Sequence, residues 1–122
     1  MDDFAVGALM NEEAAPISQA ARLTPFTSDY RSVVMNKGAM QFHMLRAQIG
    51  DVAFKSLLHK FYATYAGKQA TNAQFEQLAV QQMQAALKPG QEAPNLNGFF
   101  AQWLNSTGVP DFKIEYVVYR TP

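Results

Sequence analysis

Histidine is the first residue type to consider in this sequence, because imidazole binds zinc and transfers protons near neutral pH. The chain has two histidines, His43 and His59, and no cysteine. A structural zinc site needs about four protein ligands, and a catalytic one needs about three plus water. No H-E-x-x-H pattern occurs in the sequence. We therefore predict no metal ligand, no bound cofactor and no catalytic residue in this chain, with both histidines on helix surfaces or partly buried.

The other polar residues do not form a second recognisable site. Aspartates and glutamates are scattered, so no acid–base pair is indicated, and Gly38 and Gly50 are too isolated for a phosphate-binding loop. Ten basic and ten acidic residues balance, so no strong field would attract nucleic acid. No apolar run approaches the roughly 20 residues of a membrane-spanning helix, and Asp2 and Asp3 stand where a signal peptide has basic residues. We expect a soluble chain whose compartment stays open.

The apolar pattern predicts a mainly α fold, a helical bundle of about four helices. Apolar or small residues recur at spacings of three and four from Ser32 to Ile49, and Gly50 supplies a stop. A second helix beginning at Asp51 carries the clearest apolar stripe and would end near Gly67. The methionines of the first long helix could form an adaptable binding surface, but core packing is the favoured interpretation.

Two further helices and a strand complete the predicted plan. Thr71 and Gln74 form a capping box for a helix over residues 72–87, and a short aromatic helix follows near residues 99–104. The predicted divisions are a short helix and a connector at residues 1–27, irregular from 11 to 27, a helical subdomain at 28–110, and a strand at 111–122.

The predicted strand rests on alternation near the C-terminus. One face would carry Phe112, Ile114, Tyr116 and Val118, and the other Lys113, Glu115, Val117 and Tyr119. A lone strand has unpaired N–H and C=O groups. It would therefore either join a sheet in a following domain or cover the helices as an edge, and the first is the more natural arrangement.

An ordered set of short motifs runs through the middle of the sequence. Residues 30–39 read Tyr-Arg-Ser-Val-Val-Met-Asn-Lys-Gly-Ala, followed by His-Met-Leu-Arg at 43–46, Ile-Gly-Asp at 49–51, Phe54, the segment 71–75, Gly-Phe-Phe-Ala-Gln-Trp-Leu at 98–104 and Gly-Val-Pro at 108–110. In this order and spacing the motifs resemble the gluzincin zinc aminopeptidases, the family of alanyl and leucyl aminopeptidases and leukotriene hydrolase. The resemblance covers about residues 28–110.

The resemblance implies that the chain is the C-terminal helical part of a thermolysin-like catalytic domain. In that family the zinc ligands and the general-base glutamate come earlier in the chain, so an upstream segment would hold the zinc. The parent protein would remove N-terminal residues from peptide substrates. Met35 stands where the family has a tyrosine whose phenol stabilises the oxyanion, and methionine offers no O–H. Loss of one such donor commonly costs on the order of a hundred- to a thousandfold in rate.

Tyr30 and Met35 are therefore the two candidates for residues of the substrate cleft. Tyr30 is not expected to replace the missing phenol, because five residues of regular helix separate the two by about 7.5 Å along the axis and roughly 140° around it. Lys37 is interpreted as a snorkelling surface lysine and Gly38 as a glycine that permits close helix approach. Arg46 is expected to form an ion pair, with a partner that the sequence does not identify.

Two hypotheses of function remain. The first is that the chain belongs to a zinc metallo-aminopeptidase-like protein, is inactive by itself, and forms one wall of the cleft for the peptide substrate. The second is that it is a non-catalytic helical module that presents a groove to another protein. The methionine at position 35 keeps the second hypothesis open.

Overall fold

The computed structural model describes residues 2–11, 13–108 and 114–119. It confirms the mainly α class, and the described residues contain no strand. The α-helices are α1 (Asp2–Leu9), α2 (Ser28–Tyr30), α3 (Gly38–Tyr65), α4 (Asn72–Ala86) and α5 (Leu96–Trp103). A 3-10 helix spans Ile17–Arg22, and a π-helix, Arg31–Lys37, joins α2 to α3 without a break. The predicted bundle of four helices is not confirmed, because α1 and the 3-10 helix pack against the π-helix.

Helix α3 bends sharply at Gly50, where the sequence predicts a stop. Gly50 has φ 81° and ψ 161°, values that lie outside the helical region. Phe42 and Phe54 lie twelve residues apart, which would be about 18 Å in a straight helix, yet their ring centroids are 6.4 Å apart. Residues 38–49 and 51–65 are therefore two arms that fold back on each other.

Arg46 and Asp51 form an ion pair across this bend. The Arg46 Nε donates to Asp51 Oδ1 at 2.7 Å and Nη2 donates to Oδ2 at 2.9 Å, which gives the expected ion pair its partner. The hydrogen bond and charge of Arg46 lower the pKa of Asp51. Both side chains are at least half exposed, so this pair contributes little to stability.

The hydrophobic core lies between the two arms of α3, α4 and α5. Its buried members are Leu45, Leu57, Ala79, Met83, Leu96, Phe100 and Leu104. Helix α4 begins with the predicted capping box, in which the Thr71 N–H donates to Gln74 Oε1 and the Gln74 N–H donates to Thr71 Oγ1. Gly67 precedes it with φ 71°, the left-handed conformation expected at the end of the second arm.

Two predicted segments differ from the structure. The sequence predicts an irregular connector at 11–27, but this segment contains the 3-10 helix. Its Ser18 N–H donates to the Leu104 carbonyl at 3.0 Å. This bond anchors the connector at the end of α5. Residues 114–119 form no strand and are exposed, so the predicted strand is not confirmed. A strand needs a partner, and no second strand lies within the described residues; residues 109–113 and 120–122 lie outside them.

Candidate functional site

The π-helix sets the geometry around the two sequence-predicted cleft residues. Thr27 begins this region as the N-cap of α2, because its Oγ1 accepts the Tyr30 N–H at 3.2 Å. At the other end the Gly38 N–H donates to the Val33 carbonyl, five residues earlier, and also to the Met35 carbonyl. A π-helix closes each turn over about five residues instead of four, and it is frequent at functional sites. Residues five apart therefore come to the same side.

Tyr30 and Met35 are five apart, and they line the same surface pocket. The expectation of roughly 140° between them assumes a regular α-helix, and the structure has a π-helix over Arg31–Lys37 instead. The pocket has a volume of about 500 Å³, and its other walls are Pro25, Phe26, Thr27 and Arg31. The residue pattern over this segment fits an α-helix as well as a π-helix, so the sequence does not distinguish them.

Phe26 stands at the rim of this pocket in an unusual conformation. The Thr27 N–H donates to the Thr24 carbonyl, which closes a turn with Pro25 and Phe26 at its centre. Phe26 has φ 71°. Positive φ at the third position is characteristic of a type II turn, which favours glycine there, and a bulky side chain makes it strained. The Phe26 side chain is fully exposed, so the strain presents an aromatic ring to solvent beside Tyr30 and Met35.

An apolar groove, the Phe75 groove, adjoins this pocket. Its volume is about 530 Å³, and its main apolar walls are Val34, Met35, Phe42, Leu58, Phe61 and Phe75. The Phe75 ring meets Phe42 at 5.6 Å and Phe61 at 5.3 Å between centroids, edge to face in both cases. Met35 is 59% exposed and lines both this groove and the pocket that it shares with Tyr30. The prediction that it packs in the core is therefore wrong.

Gln41 is a polar residue in the wall of this groove that sequence reasoning missed. It is 8% exposed, and among the described residues its side-chain amide has no hydrogen-bond partner. Gln82 is buried to a similar extent, but its Oε1 accepts the Ser56 hydroxyl at 2.8 Å. The signal in the sequence was position: Gln41 lies three residues after Gly38 and four before Leu45, on the apolar stripe of the first arm.

Lys37 is buried, with 2% of its surface exposed, so its interpretation as a surface lysine is wrong. Its Nζ donates to the carbonyls of Ser106, at 3.2 Å, and Gly108, at 3.1 Å. Through the bond to Gly108, this buried contact joins the motif at 30–39 to the first residue of the motif at 108–110. The ammonium fixes the loop after α5 against the end of the π-helix.

The close helix approach expected at Gly38 occurs elsewhere. A Cβ atom built on Gly38 would meet nothing within 4 Å. A Cβ atom on Gly7 would collide with the Asn36 side chain, so Gly7 is the glycine that lets α1 approach the π-helix.

The described residues do not fit a zinc site. His43 and His59 are both exposed, and no group of three His, Asp or Glu residues within the described ranges lies close enough to hold a metal ion. No catalytic step can be derived from a metal held by these residues. No helix of the described chain is both long and apolar enough to cross a membrane.

Comparisons with protein families, with curated proteins and with solved structures returned no match to this chain.

Proposed function

We propose that this chain forms the helical wall of the substrate cleft in a zinc aminopeptidase-like protein, with zinc ligands and general base contributed by an upstream segment. The observation that carries the proposal is a common pocket lined by Met35 and Tyr30. The family resemblance places Met35 at the oxyanion-stabilising position, and Tyr30 is the other residue predicted to line the cleft. An open pocket that shares Met35 with an apolar groove suits a peptide, which presents both side chains and main-chain groups.

The buried contact of Lys37 supports the same proposal. Motifs that are far apart in sequence contribute to one cleft only if they are close together in space. Lys37 reaches the Ser106 and Gly108 carbonyls over 69 and 71 residues. The π-helix that carries Met35 is thus tied to Gly108, which begins the last motif of the resemblance. In this arrangement the chain shapes the cleft, while the upstream segment would hold the zinc ion and its bound water.

The test is to restore the phenol that the family resemblance expects at position 35. In the longer protein that contains the upstream segment, Met35→Tyr should raise the turnover of an aminoacyl anilide at least tenfold, because a preorganised O–H donor would again face the oxyanion. Met35 is 59% exposed, so a larger side chain fits without repacking the core.

Met10→Tyr is the matched control. Met10 is 76% exposed and lines a pocket that contains neither Tyr30 nor Met35. It should leave turnover unchanged. Equal turnover in the two variants would contradict the assignment of Met35. Absence of both an H-E-x-x-H pattern and a later glutamate from the roughly one hundred preceding codons would remove the zinc site itself.

The alternative is a non-catalytic helical module that binds another protein. The exposure of Met35 and of Phe42 in the Phe75 groove favours it, since apolar side chains in an open groove suit a protein partner. This module should be a well-behaved monomer or dimer by light scattering. Aggregation of the isolated chain, with strong binding of a hydrophobic dye, would favour the cleft-wall proposal instead.

A further inference from the structure

Gln41 indicates what kind of group lies in the Phe75 groove. Burying an amide without a hydrogen bond costs free energy. Gln41 is 8% exposed and unpartnered among the described residues. The comparable Gln82 has Ser56 as its partner. A ligand that supplies a donor and an acceptor in the groove would offset the cost at Gln41.

The walls of the groove limit the chemistry of that ligand. No charged side chain of the described residues lines it. The groove has no counter-ion for a phosphate, a carboxylate or an amine, and burying such a charge unpaired is strongly unfavourable. Its edge-to-face aromatic rings instead suit aliphatic or aromatic side chains. The ligand is therefore uncharged and mostly apolar where it contacts the groove.

The side-chain amide of Gln41 offers one carbonyl acceptor and an NH₂ donor. A peptide unit offers the complementary N–H and C=O. In a helix these groups already bond within the helix, whereas in an extended segment they are free. An extended peptide therefore satisfies Gln41 and fills the apolar walls at the same time, which a docked helix does not.

We propose that the Phe75 groove binds an extended apolar peptide segment and that Gln41 pairs with one of its main-chain amide groups. This inference rests on the proposed function, because it names the chemistry of what lies along the cleft wall. It assigns Gln41 to peptide positioning. It is tested by binding to this chain alone, without zinc or hydrolysis, so its failure is separable from failure of the aminopeptidase assay.

The experiment measures binding by fluorescence anisotropy to the chain of 122 residues. The probe is a labelled acetyl-Lys-Val-Leu-Val-Lys-amide, in which the terminal lysines give solubility. Its matched control carries an N-methyl group on the leucine, which removes one N–H and keeps every side chain. N-methylation should weaken binding about tenfold, as expected for loss of a buried amide pairing.

Gln41→Leu should weaken binding of the unmodified probe by about tenfold and abolish the difference between the two probes. Gln41→Met, which retains the length of the side chain, gives the same result if the amide is what matters. Far-UV circular dichroism and thermal unfolding establish that both variants fold. A difference between the probes that persists in these variants overturns the pairing with Gln41.

Two other results would overturn the proposal that an extended peptide occupies the Phe75 groove. The first is failure of the wild-type chain to bind the unmodified probe. The second is concentration-dependent self-association in sedimentation that Phe42→Ala abolishes, because a second copy would then cover the groove.

Discussion

The two sides of Phe75 differ in how they use the same aromatic residue. Toward the core, the Phe75 ring meets Phe100 at 6.4 Å, and Phe100 is 1% exposed. Toward the groove, it meets Phe42, which is 46% exposed. Apolar area removed from water stabilises a fold, whereas area left in an open groove stabilises it only once a partner covers it. The core side holds the helices together, and the groove side remains available for binding.

The largest expected effect tests this difference directly. Phe100→Ala should destabilise the chain by about 3–5 kcal/mol, because it leaves a cavity in a closed core. Phe42→Ala should cost less than about 1.5 kcal/mol, since much of its surface is already in water. Urea unfolding of both variants against the wild type measures the two values. Similar losses would show that the groove side is part of the structural core.

A substitution of Lys37 tests how much its hydrogen bonds to the loop after α5 stabilise the fold. Lys37→Met keeps most of the apolar stem but removes the ammonium that donates to the Ser106 and Gly108 carbonyls. The loss should be about 1.5–3 kcal/mol, the range for hydrogen bonds to a charged group. Urea unfolding measures it, with Lys55→Met on the exposed surface as control. A loss no larger than that of the control would mean that this contact adds no stability.

The smallest expected effect compares two buried glutamines, whose replacement by leucine should change the free energy of unfolding in opposite directions. Gln41→Leu should raise the free energy of unfolding by about 1 kcal/mol, because it removes an unpartnered amide. Gln82→Leu should lower it by about 0.5–1.5 kcal/mol, because the Ser56 hydroxyl loses its acceptor. Leucine and glutamine have similar helix propensities, and both substitutions add similar apolar area, so the difference between the two variants in thermal unfolding reports the effect of the hydrogen-bond partner. Destabilisation by both substitutions would contradict the assignment of Gln41 to a ligand.

The sequence predicted the helix ends that depend on residues within one turn. The capping box of Thr71 and Gln74, the break at Gly50 and the left-handed Gly67 each follow from residue types within one turn. The π-helix could not be predicted from residue types. Whether a backbone N–H bonds to the carbonyl five residues earlier or to the one four residues earlier depends on what packs around the helix. The contacts of the buried Lys37 and of the partly buried Ser18 also escaped prediction, since their partners lie beyond α5.

The candidate site was predicted only in part. Met35 was identified by resemblance and Tyr30 as a further candidate for the cleft, and both line one pocket. Their closeness depends on the π-helix, so no argument from regular helical spacing could give it. Gln41 carried a usable signal as the polar member of an apolar stripe. The position of the strained Phe26 directly after Pro25 was a weaker signal of a type II turn. Proline favours several turn types, and type II is only one of them.

The bond from Ser18 to the Leu104 carbonyl has a consequence for the order of folding. It joins a residue near the start of the chain to one near the end of α5. The hairpin of α3 and α4 needs only short loops to close, whereas this bond needs one of the longest loops in the chain. A chain emerging from the ribosome can therefore assemble the middle helices early. The bond that ties the 3-10 helix to the end of α5 can form only after α5 has been synthesised.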